Sequence, residues 1–90
     1  MIRYHIILDG RVQGVGCRYF CQMNAVSLSL TGWVRNLDNG MVELEVQGDE
    51  KVVNNYVSLI NKGNRFIRIY DYSIKKTELI LTENSFKVTY

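Results

Sequence analysis

The run TGWVRNLDNGMVELEVQG, residues 31–48, constrains the fold more than any other part of the chain, because two alternating segments meet at Asn39-Gly40. Alternation of apolar and polar residues puts successive side chains on opposite faces of a strand. Val34 and Asn36 thus share one face of the first strand, with Trp33, Arg35 and Leu37 opposite. On the second strand Val42, Leu44 and Val46 face one way, and Glu43, Glu45 and Gln47 the other. Asn-Gly between such runs predicts a hairpin with a type I′ turn, which needs positive φ at both central residues.

Each flank of the hairpin supplies a helix and a strand. IRYHIILD alternates, with Ile2, Tyr4, Ile6 and Leu8 on one face and Arg3, His5, Ile7 and Asp9 on the other. After the glycine-rich segment 10–16, Cys21, Ala25 and Leu28 fall at helical spacing within Arg18–Leu30, and Gln22, Asn24, Ser27 and Ser29 take the wetter positions. Beyond the hairpin, Asp49 is a good N-cap, Val53, Tyr56, Val57 and Ile60 form an apolar stripe, and Lys62-Gly63 is a stop signal. RFIRIYDYSIKK reads as a strand, the stretch 77–82 is too apolar for an ordinary loop, and SFKVTY supplies a last short strand. Strand, helix, strand, strand, helix, strand is the ferredoxin-like split β-α-β order, an α+β fold with two helices on one face of a mainly antiparallel sheet. At 90 residues, 47% of them hydrophobic, residues 1–90 are expected to form a single domain around one core.

Charge and cysteine content narrow the function. A net charge of +2 is far from the strong basic clustering of a dedicated DNA-binding module and suits a small anionic ligand. Cys17, Cys21 and the one histidine, His5, are too few for a four-coordinate zinc site. No apolar run is long enough to span a bilayer, and the opening MIRYHIILDG lacks a signal peptide's length and cleavage site. A reduced, cytoplasmic protein is expected.

GRVQGVGCRYF, residues 10–20, carries the chemistry. It is neither a P-loop, since no lysine and hydroxyl residue follow Gly16, nor a dinucleotide fingerprint, since its glycines are spaced G-x-x-x-G-x-G. A loop of small residues between a strand and a helix can still converge backbone N–H groups on one anion. Glycine allows positive φ and close approach, and Arg18 offers a planar fork matched to two phosphoryl oxygens. The plainer alternative is a tight turn followed by a solvated arginine.

Together, GRVQGVGCR and, one helix later, GWVRN-x-x-x-G-x-V-E resemble the two signatures of the acylphosphatase family; the first looks like its G-x-V-Q-G-V-x-F-R. The resemblance runs from the first strand through Gly48, and FKVTY is similar to the family's last strand. It implies a hydrolase that converts acyl phosphates to a carboxylate and inorganic phosphate. By that likeness the phosphate cradle is the backbone of Gln13, Gly14, Val15, Gly16, Cys17 and Arg18. Arg18 holds the phosphoryl group and Asn36 orients the attacking water. No metal or other cofactor is implied. The partners are a small-molecule acyl phosphate and inorganic phosphate, the latter as product and competitive inhibitor. No nucleic acid, no membrane and a monomeric state are expected. Asparagine is also common beside hairpin turns, which is the bland account of Asn36.

The chain departs from the family pattern at three places. Cys17 stands where phenylalanine is usual, Ser29 replaces the glycine that usually ends the helix, and the stretch GNRFIRIYDY lacks a proline. A thiol near a helix start and a guanidinium tends toward thiolate, while the simpler account is a small packed residue. A Cys17–Cys21 disulfide would strain the helix start. His5 is read as a surface residue. Glu43 and Glu45 are outward strand charges, and the aromatics Phe66, Tyr70 and Tyr72 with Arg65, Arg68, Lys75 and Lys76 form a half-buried strand with solvated charges. Two other functions remain compatible with this fold: a non-catalytic anion-binding or regulatory module, and a nucleic-acid-binding domain.

Overall fold

A computed structural model describes residues 1–90. The elements follow in the order β1 (Ile2–Arg11), α1 (Cys17–Ser27), β2 (Thr31–Asn36), β3 (Val42–Gly48), α2 (Glu50–Lys62), β4 (Arg68–Thr77) and β5 (Phe86–Val88). One five-stranded sheet runs β4-β1-β3-β2-β5. Every neighbouring pair is antiparallel except β2 and β5, which are parallel. This is the expected ferredoxin-like βαββαβ order with a short fifth strand added beside β2.

Alternation places the core. Leu8 opposes Val42, Ile6 opposes Leu44, and Leu44 opposes Val34 across the central ladders. These side chains meet Cys21 and Ala25 of α1 and Val53, Tyr56 and Ile60 of α2 in one buried cluster. The Tyr56 hydroxyl donates to the Cys21 carbonyl at 2.9 Å, so the one phenol in the core is satisfied and ties the helices together.

Both helix ends follow from local chemistry. Asp49 Oδ1 accepts from the N–H groups of Lys51 and Val52 and caps α2, whose path ends at Gly63. α1 stops three residues earlier than the periodicity predicts. Leu30 N–H donates to Ala25 O at 2.9 Å and Ser29 N–H to Val26 O at 3.0 Å, a Schellman arrangement with buried Ala25 and Leu30 beneath it. Ser29 takes the left-handed position with φ 57°, the only non-glycine residue in the chain with positive φ.

The hairpin differs from the type I′ expectation. Only Gly40 has positive φ; Asn39 does not. Leu37 N–H reaches Met41 O at 2.9 Å and Gly40 N–H returns to Leu37 O at 3.2 Å, giving a three-residue loop. Asn39 Oδ1 accepts from Met41 N–H, a side-chain bond that competes with the I′ conformation.

β4 begins three residues later than its composition suggests. Asn64 Oδ1 accepts from both Phe66 and Ile67 N–H groups at 2.8 Å, which curls the chain and turns Ile67 into the core. As an edge strand, β4 leaves Tyr70 and Tyr72 exposed rather than half-buried.

The outer face of the sheet is not simply solvated. Arg3 is fully buried there, donating to Glu45, Gln47 and Glu83. Burial opposes its charge, but hydrogen bonds with Glu83 and Glu45 outweigh this and raise the guanidinium pKa above its ordinary value. The segment between β4 and β5 lies over this face: Gln47 accepts from Ile80 N–H at 2.8 Å and donates to Ile80 O at 3.1 Å, standing in for a strand partner. Nearby, His5 Nε2 lies 2.7 Å from Glu43 Oε2, and Arg35 Nε donates to Glu43 Oε1 at 2.6 Å. Glu43 and Glu45 are thus half-buried ion-pair partners of Arg35 and Arg3 rather than free outward charges, and His5 is hydrogen-bonded to Glu43 rather than a free surface residue.

Candidate active site

The segment Val12–Gly16 carries the chain from the end of β1 to the start of α1. Val12 is buried and anchors its first half, and Val15 packs against the core. The side chain of Gln13 reaches sideways to the hairpin, donating to Leu37 O at 2.7 Å and Met41 O at 2.9 Å. The loop is thereby fixed to the strand that carries Asn36.

Gly14 and Gly16 have φ of 74° and 79°, and no other part of the molecule lies within 4 Å of where a side chain would begin. The requirement there is on torsion, since L-residues rarely adopt those angles. The consequence is a row of free donors. The N–H groups of Gly14, Val15 and Gly16 bond to no protein acceptor. Gly16 is the N-cap of α1 without a side-chain hydrogen bond, and the first turn holds no acidic residue. The first backbone bond of the helix is Phe20 N–H to Gly16 O at 2.9 Å, so the earlier helical amides have no intrahelical partner. A helix start in this state attracts an anion.

Arg18 stands at the rim. Its Nη1 donates to Thr89 O at 3.3 Å, and its guanidinium lies 4.7 Å from the centre of the Tyr90 ring. It makes no ion pair with a carboxylate, so its charge remains available to a ligand. Thr89 is itself fixed to β2, donating its N–H to Val34 O at 2.8 Å, two residues before Asn36.

Asn36 and Arg18 line the same cavity of about 370 Å³, together with Gly14, Gly16, Cys17, Tyr19, Gln22, Val88 and Tyr90. A second hollow of about 450 Å³ also has Arg18, Asn36 and Tyr90 in its walls and adds Gln13, Leu37 and Asp38. Asn36 Oδ1 is buried and accepts no hydrogen bond within the protein. A buried acceptor without a donor is costly, on the order of 1–3 kcal/mol, and calls for a water or ligand.

Cys17 is buried, and with Cys21 it forms a pair of free thiols one helical turn apart. Hydrogen bonding between them lowers the Cys17 pKa and, together with burial, raises that of Cys21 well above the usual thiol range. No cluster of three His, Cys, Asp or Glu side chains is placed to hold a metal ion, and no helix is long and apolar enough to cross a membrane.

Of the residues singled out in the sequence, Gly14, Gly16, Cys17, Arg18 and Asn36 line one cavity, Gln13 lines the adjoining hollow, and Val15 turns its side chain inward. Thr89, Tyr90 and Tyr19 were not legible as site residues. Tyr19 is adjacent to Arg18, but Thr89 and Tyr90 reach the site only through the parallel pairing of β5 with β2, for which no local signal exists.

The acylphosphatase family model matches residues 4–88. The chain is 51% identical over 90 residues to the acylphosphatase of Clostridium beijerinckii, covering all of both chains. It superposes on the crystal structure of acylphosphatase from Bacillus subtilis with a TM-score of 0.94 at 40% identity, again over the whole of both. An acylphosphatase structure from Coxiella burnetii follows with a TM-score of 0.91 at 27% identity, over 98% of this chain and 92% of that one. With a family model across nearly its whole length and relatives alike from end to end, the chain belongs to the acylphosphatase family, enzymes that hydrolyse acyl phosphates.

Proposed function

We propose that Arg18 and Asn36 perform the acylphosphatase reaction over a cradle formed by the backbone of Gln13 to Arg18. The free N–H groups of Gly14, Val15 and Gly16, in the loop that meets the cavity shared by Arg18 and Asn36, together with the uncompensated guanidinium and the unpartnered Asn36 Oδ1, support this reading above any other observation. The amides and Arg18 hold the three non-bridging oxygens of the phosphoryl group. Asn36 Oδ1 accepts a hydrogen from water and turns its lone pair toward phosphorus.

The chemistry fits an uncharged water-positioning group. A phosphoryl group passes through a loose transition state, so a weak nucleophile suffices and stabilising the charge on the equatorial oxygens matters most. Water oxygen bonds to phosphorus while the bond from phosphorus to the acyl oxygen breaks with its electron pair. The acyl group leaves as a carboxylate, and both water protons stay on the inorganic phosphate. A carboxylate is a good leaving group and needs no general acid. Arg18 supplies the positive charge, so the reading is of a metal-independent enzyme that inorganic phosphate inhibits competitively. We read it as a cytoplasmic monomer comprising one domain.

Phosphate release from acetyl phosphate, without added metal, tests the assignment in the wild type, Arg18→Ala and Asn36→Ala. Loss of the Arg18 contacts is expected to cost on the order of 10²–10³ in rate. Asn36→Ala is expected to reduce kcat while leaving inhibition by phosphate largely intact. Near-normal turnover by Asn36→Ala would overturn its water-positioning role.

A further inference from the structure

The sheet ends in two unlike edges. β5 is three residues long, whereas β4 at the other end spans ten and has β1 as its only neighbour. We propose that the outer edge of β4 is a docking strand for an extended segment of another polypeptide in which apolar and acidic residues alternate.

Three observations carry it. First, the edge is open. From Ser73 to Thr77 the register with β1 is unbroken, and no residue of that run bonds to any other element. Backbone groups there that turn away from β1 are free to pair with an added strand. Second, the edge is basic. Residues 62–76 carry Lys62, Arg65, Arg68, Lys75 and Lys76 against one acid, Asp71, although the whole chain has a net charge of only +2. All five cations are exposed and none makes an ion pair. Third, the apolar face of the sheet runs on past its cover. Tyr72 opposes Leu8 and Ile74 opposes Ile6, so both lie on the face that bears the helices. They are nevertheless 49% and 38% exposed, and apolar side chains of an added strand would cover them.

A second copy of β4 is a poor occupant, because pairing would bring the cations of both strands together, and lysine on an edge is a common guard against it. For an acidic strand the same cations are attractive, so charge selects the partner while main-chain pairing supplies affinity. β4 and β5 are opposite ends of the sheet, and no residue from Ser73 to Thr77 lines either hollow at Arg18 and Asn36. Docking there leaves the catalytic site open.

A capped peptide that alternates valine with glutamate, titrated into the isotope-labelled protein and followed by NMR, tests the proposal. Amide signals from Ser73 to Thr77 should shift, while those of Gly14, Val15 and Gly16 stay in place. Lys75→Glu combined with Lys76→Glu should weaken binding about tenfold, and so should raising salt from about 0.05 to 0.5 M. Both lysines are exposed, so the double variant should keep the wild-type thermal midpoint, which separates lost docking from lost folding. The same peptide with proline in place of each valine cannot add to the ladder and should not bind. Equal affinity for the proline peptide, or for an oligouridylate of the same charge, would reveal a plain polyanion surface and overturn the docking strand. Unmoved signals from Ser73 to Thr77 would overturn it too.

Discussion

Arg3 and Glu83, 80 residues apart in sequence, meet through two hydrogen bonds, from Nη1 to Oε1 at 2.7 Å and from Nη2 to Oε2 at 3.1 Å. The pairing is of the bidentate kind that suits a guanidinium and a carboxylate. It fastens the segment between β4 and β5 over the outer face of the sheet. Because Arg3 is fully buried, removing one partner leaves a charge out of water. Glu83→Ala is therefore expected to destabilise the protein by about 3 kcal/mol in urea unfolding. A loss below about 1 kcal/mol would show that the pair behaves as a surface contact.

Gln13 is the strut between the loop and the hairpin. Gln13→Ala removes both of its hydrogen bonds to the hairpin carbonyls. Each such bond contributes about 1 kcal/mol, so unfolding should show a loss of roughly 2 kcal/mol. Phosphate inhibition should weaken severalfold, since the amides of the loop and Asn36 lose their common mounting. Inhibition at the wild-type level would mean that the loop holds its shape unaided.

Ser29 occupies a backbone position that suits glycine. Left-handed torsion costs an L-residue roughly 1–2 kcal/mol, and glycine gives back part of that in lost chain entropy. Ser29→Gly is expected to stabilise the protein by about 0.5–1 kcal/mol, since φ is 57° in the folded state. A thermal midpoint raised by a few degrees, with kcat unchanged, would confirm it. A lower midpoint would show that the serine hydroxyl contributes more than the torsion costs.

The cluster around Glu43 sets part of the acid stability. Burial works to raise the Glu43 carboxyl, but hydrogen bonds from His5 and Arg35 outweigh it and hold the pKa below its ordinary value. In the acid range the unfolded chain thus takes up a proton at Glu43 before the folded protein does, and stability rises with pH there. The contribution is complete above the ordinary carboxylate range near pH ~4.3 and is lost as pH falls through the lowered folded value. Glu43→Gln should flatten this part of the curve of unfolding free energy against pH between about 3 and 5. An unaltered slope would assign the acid sensitivity to other carboxylates.

The hairpin strands, both helices and the order of elements were legible because each rests on local signals. Alternation around Asn39-Gly40, the Asp49 cap and the Lys62-Gly63 stop each act within a few residues. Turn geometry was less legible, because the Asn39 carboxamide chose a bond to Met41 that composition does not reveal. The outer face was misread for a different reason. Arg3, Glu45 and Gln47 look solvated along their own strands, and only the return of residues 78–85 across the sheet buries them.

The same division holds at the site. Gly14, Gly16, Arg18 and Asn36 lie in two local motifs, and each motif carries its own pattern. The partners of Arg18 come from residues remote from it in the sequence, Thr89 lying 71 positions further on. Cys17 shows a third case, in which a departure from the family pattern is resolved by packing: its side chain is buried among core residues.

The tie between Arg18 and Thr89 has a consequence for protein synthesis. A nascent chain that has emerged through α2 already possesses the phosphate loop, the helix start and the asparagine. It still lacks the carbonyl and the ring that orient its arginine, and the strand that flanks β2. Catalytic competence should therefore arrive abruptly, once residues 86–90 have joined the fold, rather than grow in proportion to the length of polypeptide released.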